Sequence, residues 1–304
     1  MAKVTSDPGG SRRERQRREL LTDIGEATRA IVVDEGVAAV TMAAVAERVG
    51  VTAPALYRYV DGRTGLLELA CVRIAGQLVQ HLTSTRANLG DDPLDQVLGM
   101  FRELRRWALA HRAEFAMLFA HPATAYERAS ARPDQEPTRT GTSGTSTSGP
   151  GTPGPGTSGP GTLGTSTSGT WTRNTGAQSS ADLALTAVFE LEWVLEEALV
   201  RLWNERPFPV PAEADVPEDL RASVQTFVDR VFERVNAAGL QVSDAPIAAA
   251  AVLIGFWVRV YGMISMEVFG HLSYAVTDGG PLFEFVLDEF ARMVRGDAST
   301  DPGT

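Results

Sequence analysis

Residues 40–60, VTMAAVAERVGVTAPALYRYV, place two short helical patterns and a tight turn in one compact stretch. Thr41 is a natural N-cap, because its hydroxyl can accept from an otherwise unpaired amide of the first turn. Met42, Val45, Ala46 and Val49 follow at helical spacing and form one apolar stripe. Gly50 comes directly after that stripe, where a chain leaving a helix commonly needs positive φ. Thr52 can cap again, and Pro54 stands in the next first turn, where its missing N–H costs nothing. Leu56 and Val60, four apart, turn inward and leave Ala53, Ala55, Tyr57, Arg58 and Tyr59 for other faces. The spacing predicts a second helix over residues 52–59. This is helix-turn-helix grammar, with small residues that allow close approach to a groove floor and Tyr or Arg that reach phosphates or base edges. An ordinary capped helical hairpin has the same pattern.

The wider stretch GVTAPALYRYVDGRTGLLELA resembles the signature of TetR-type transcriptional repressors. The matching elements are Gly50-Val51, Leu56-Tyr57, Tyr59, and the basic Arg63 followed by Leu66-Leu67; the resemblance covers residues 17–77. It implies a DNA-binding head, a contact from Arg63 to the DNA backbone and dimerisation through the last two helices. It also implies a near-palindromic operator on double-stranded DNA, since a two-fold dimer reads two half-sites.

The net charge is −10 over 304 residues, which at first opposes a nucleic-acid partner. The distribution resolves this: residues 1–86 carry 12 basic and 10 acidic side chains, and the remainder is net acidic. Phosphate neutralisation is local, so a few placed arginines suffice and binding should be salt sensitive. Arg12, Arg13, Arg15, Arg17 and Arg18 form a basic cluster after a polar start. They are read either as a DNA-contacting arm within a disordered segment 1–14 or as a solvated helix start. No uninterrupted run of 18 apolar residues appears, and the basic N-terminus lacks an adjoining apolar segment, so neither a membrane span nor a secretory signal is expected. A single cysteine, Cys71, excludes an intramolecular disulfide and is read as a small buried hydrophobe. The expected location is cytoplasmic.

The expected fold is all-α. A three-helix head (15–77) precedes a ligand-binding and dimerisation domain in two parts (78–131 and 181–295). A Gly/Thr/Ser/Pro-rich stretch, 132–180, interrupts that domain and cannot bury enough apolar area to offset its ordering entropy. A tail of 296–304 closes the chain. Helices are predicted over 220–235 and 282–293, with a very apolar one beginning near Asp244. Small residues alternate with large ones in that apolar helix, and the last two helices read either as a buried core pair or as a bundle with a second subunit, through Gly255, Val258, Gly262, Met266, Phe283, Leu287 and Phe290. The run WVRVYGMISMEVFG also resembles ligand domains named for a Trp-His-Gly pattern, with Tyr261 at the histidine position.

Catalytic constellations are absent from the pattern. The four histidines are dispersed, no HExxH spacing occurs, and no phosphate loop or nucleophile elbow is present. Glu196-Glu197 reads as a solvated helix face. No cofactor, metal or enzymatic activity is expected. Trp107, Phe115, Phe119, Phe189, Trp193, Trp257 and Tyr261 are candidate pocket residues, each equally readable as core packing, and His111, His121 or Glu192 could orient a ligand. For the head, Thr41, Tyr57, Tyr59 and Arg63 are the candidate phosphate contacts. Thr52 opens the reading helix, and Ala53, Ala55 and Arg58 are candidates for base edges. The expectation is a homodimeric repressor released by a small apolar effector. An activator, a DNA binder without effector and a partner-binding helical module remain the alternatives.

Overall fold

The computed structural model describes residues 8–119, 179–240 and 246–297. It is all-helical, with no strand among the described residues. The head consists of α1 (Pro8–Glu35), a 3₁₀ turn (Val37–Ala39), α2 (Met42–Val49) and α3 (Ala53–Leu56). Next come α4 (Gly62–Asn88), α5 (Pro93–Ala110) and α6 (Arg112–Phe119). After residues 120–178 follow α7 (Ser180–Glu205), α8 (Glu218–Ala237), α9 (Ile247–Val268) and α10 (Gly279–Arg295).

α4 is the central strut. It packs most heavily on α1 at one side and on α7 at the other. Leu66, Leu69, Ile74, Leu78 and Leu82 are all buried along it. The α1–α4 crossing is close at Gly25, where an added Cβ would stand 2.7 Å from the Leu69 carbonyl oxygen. Arg29 of α1 donates from Nε to Glu114 of α6 at 2.7 Å, so head and body are also joined by an ion pair whose carboxylate is buried. α5 is fastened to the last two helices: Arg102 grips Glu284 and Arg105 grips Glu267, each through paired hydrogen bonds.

Several boundaries differ from the sequence-based expectation. Residues 8–14 belong to α1 rather than to a disordered arm, since the arginine cluster prolongs the helix; Arg12, Arg13, Arg15 and Arg18 are exposed on it. Position 77/78 is no boundary, because α4 runs through it without a break. Ser179 and Ser180, expected in the linker, start α7: Ser179 forms a reciprocal capping box with Asp182. The rest of the low-complexity stretch and His121 lie outside the described residues.

α9 has a length and apolarity that membrane-crossing helices share, with mean hydropathy 1.9 over its best window, and only 28% of that window is buried. Its three faces explain this without amphipathicity. Phe256, Val260 and Ile264 fill the subunit core, a second face looks into a cavity, and a third carries exposed Gly255 and Val258, the latter 58% exposed. Half-buried Gly262 and Met266 continue that outer face. Phe283, Leu287 and Phe290 of α10, expected at a subunit interface, are instead 0–3% exposed within the subunit. Phe290 stacks on Phe256 at 3.8 Å, and the Arg105 guanidinium sits 5.4 Å from the Phe283 ring. The outward large apolar residues of α10 are Leu282 and Phe285.

Candidate nucleic-acid interface and ligand pocket

The head is assembled from short local devices. The Thr41 hydroxyl accepts from the Ala44 amide at 3.1 Å and starts α2. Gly50 ends α2 at φ 76°, ψ 31°, and the next amide, Val51, closes back onto the Ala46 carbonyl at 3.0 Å. α3 then runs only four residues, shorter than the predicted 52–59, and Thr52 makes no side-chain cap. The chain stays coiled beyond it: Tyr59 and Val60 amides both donate to the Leu56 carbonyl, at 2.8 and 3.1 Å. Buried Leu56 and Val60 anchor this segment, while Tyr57 is 62% exposed and Arg58 is exposed beside it. Neither side chain has a hydrogen-bond or ion-pair partner among the described residues. Ala53 and Ala55 are half-buried, and Tyr59 packs partly against the core.

Arg63, expected at the DNA backbone, is exposed and also makes bonds within the head. Its Nε donates to the Val40 carbonyl at 3.0 Å and Nη2 to the Val37 carbonyl at 2.5 Å. It thereby pins the first turn of α4 to the 3₁₀ turn that feeds α2. α4 starts at Gly62, whose φ is 59°.

A cavity of about 870 Å³ lies between α7, α8 and α9, floored by Leu104 of α5 and by Leu118 and Phe119 of α6. That volume falls in the usual range of small-molecule sites. Leu191, Leu195, Val224, Phe227, Leu253 and Trp257 make up much of its wall. Of the predicted pocket residues, Phe119, Trp257 and Tyr261 line it. The others do not. Phe115 is buried behind Phe119 at 4.6 Å, and Trp107 stacks on His111 in a separate small recess with His81 and Glu103. Phe189 serves through its carbonyl, which accepts from Arg234, and Trp193 lies under the Arg234 guanidinium at 4.9 Å.

Glu192 and Glu196 both line the cavity. Glu196 was expected on a solvated face with Glu197, but its side chain is 13% exposed and accepts from Arg234 Nη1 at 3.0 Å. Glu197 is likewise drawn in, between Arg201 and Arg86. Burial pushes the carboxyls of Glu192 and Glu196 above their ordinary value, against the opposing pull of Arg234 and Arg230. Sequence periodicity cannot separate a helix face turned to solvent from one turned to a cavity, since both tolerate charge.

Comparison with known proteins draws these parts together. Residues 24–70 match bacterial regulatory proteins of the tetR family, and residues 193–290 match the tetracyclin repressor-like C-terminal domain. The chain belongs to the TetR family. Its first matched segment spans the α1–α4 head and its second spans most of the cavity-bearing body. The HTH-type transcriptional regulators Mb1846 of Mycobacterium bovis and Rv1816 of Mycobacterium tuberculosis are each 32% identical over 127 residues. That alignment covers 41% of this chain and 53% of each relative, so the chain matches about half the length of these curated relatives. The crystal structure of regulatory protein SCO4313 shares the fold at TM-score 0.50 and 21% identity, covering 91% of this chain and 97% of that one. TetR-family proteins are regulators, and the head described above is the family's helix-turn-helix.

Proposed function

We propose that this TetR-family chain is a homodimeric, cytoplasmic transcription regulator, in its simplest form a repressor, that leaves a near-palindromic operator when a small apolar effector fills the α7–α8–α9 cavity. The observation that carries this reading is the exposed, unpartnered pair Tyr57 and Arg58 on a segment anchored from beneath by Leu56 and Val60. Such a pair can meet a groove wall and a base edge without first breaking internal bonds. The exposed Val258 and Phe285 on the outward sides of α9 and α10 support a two-fold dimer.

The proposed coupling follows α7. This helix lines the cavity, and its first residue, Ser180, donates to Glu68 of α4 at 2.7 Å. A ligand that favours a displaced α7 would therefore load the first turns of α4, which Arg63 ties to the reading head. Operator affinity would fall by the ligand's differential affinity for the two arrangements.

Fluorescence anisotropy on DNA from the upstream region, beside a scrambled duplex and at two salt concentrations, tests the proposal. Preference for the native duplex that persists at the higher salt is the expected result. Equal binding to both duplexes, repeated on random-sequence selected DNA, would overturn it and favour a partner-binding module.

A further inference from the structure

Cavity-lining residues leave more than one buried polar atom without a hydrogen-bond partner among the described residues; the Trp203 indole N–H is a donor, and the carboxylate acceptor among them is on Glu192. Arg234 is engaged elsewhere: it donates to Glu196 and to the Phe189 carbonyl and covers the Trp193 ring. Arg230, from the same helix α8, lies 5.3 Å from the Phe227 ring. Glu192 Oε2, by contrast, is buried without a hydrogen-bond donor among the described residues. That oxygen is already shut off from water, and a purely apolar ligand would offer it no donor. A carboxylate ligand would face both Glu192 and Glu196. A donor resolves the mismatch.

We propose that the effector is a largely apolar molecule carrying a basic nitrogen, whose N–H donates to Glu192. This rests on the effector role proposed above for the cavity. A cation is favoured over a neutral hydroxyl for two reasons. Its attraction to a carboxylate is stronger in an apolar surround than in water. In addition, Trp257 and Tyr261, stacked at 5.8 Å, both line the cavity and offer aromatic faces to a cation. The groups that face Glu192 set the balance: Glu196 on its own helix reinforces the pull on a cation, and Arg230 and Arg234 of α8 oppose it. Arg234 is already neutralised by Glu196. Because burial holds the Glu192 carboxyl above its ordinary value, affinity for an amine rises with pH as that carboxyl loses its proton, and affinity for an alcohol does not.

The test uses the full chain, with decylamine and decanol as probes, and reads heat of binding across acid to neutral pH. Salt of about 0.3 M keeps attraction to the acidic surface small. Decylamine should bind about tenfold or more tighter than decanol near neutrality. Glu192→Gln, which conserves shape, should erase the difference and leave decanol within about twofold. Equal affinities in the wild type, a preference that survives in Glu192→Gln, or a decylamine affinity flat across pH would each overturn the amine assignment while the cavity kept its role. Failure of both probes to bind would overturn the effector reading as well. The wild-type pH profile decides the matter even if the variant does not fold.

Discussion

Tyr57 and Arg63 sit six positions apart and were read alike from sequence, yet their surroundings separate them. Tyr57 is mostly exposed and unpartnered, so Tyr57→Ala should lower operator affinity about tenfold or more while the melting temperature barely moves. Arg63 spans two carbonyls of the preceding turn, so Arg63→Ala should cost about 1–2 kcal/mol of stability along with DNA affinity. A thermal melt beside an anisotropy titration distinguishes them; an unchanged Arg63→Ala melt would contradict the clamp. Cys71 is a second case. Its thiol is pushed up to about 11, first by burial and then by Glu68, and its Sγ–H points at the Met117 carbonyl. At pH 8 the thiolate fraction is therefore about one in a thousand. Folded protein should react with a disulfide reagent at least about a hundredfold slower than denatured protein, and rapid labelling of the native state would show the site to be open.

Among the elements, α4 links everything else. It meets α1 over Gly25, where the approach leaves no room for a methyl against the Leu69 backbone. Gly25→Ala should separate the two helices and destabilise the chain by about 1–3 kcal/mol. The substitution would otherwise improve helix propensity by up to about 1 kcal/mol, so a stabilised variant in chemical denaturation would mean that the two helices do not cross this tightly. α9 teaches a complementary lesson. Its apolar character all round does not require a lipid surround, because core, cavity and outer face each ask for apolar side chains.

For the whole molecule, the outer apolar surface of α9 and α10 is the feature that a monomer leaves unexplained. Val258 and Phe285 are both more than half exposed. Changing both to Glu should convert the proposed dimer to monomer by light scattering and, with only one reading head per particle, weaken operator binding by about a hundredfold or more. A double variant that stays dimeric would place the interface elsewhere. Phe283, Leu287 and Phe290 are not useful for this test, since they fill the subunit's own core and their loss would unfold it.

Sequence alone determined the features whose physics is local. Thr41, Gly50 and Pro54 declare a cap, a left-handed exit and a first turn within a few residues of themselves. The helix-turn-helix and the all-α class follow from these short-range rules and the apolar stripes. Only the tertiary structure decided which neighbour each stripe faces. The α10 stripe looks equally suited to a partner or to its own subunit until Phe256 and Phe208 are seen against Phe290. Arg63 looks unpaired until the Val37 and Val40 carbonyls come within reach. Glu196 looks solvated until α8 and α9 are seen around the cavity that it lines. In each case the deciding atoms lie on another helix, and helical periodicity carries no information about the azimuth at which that helix will arrive.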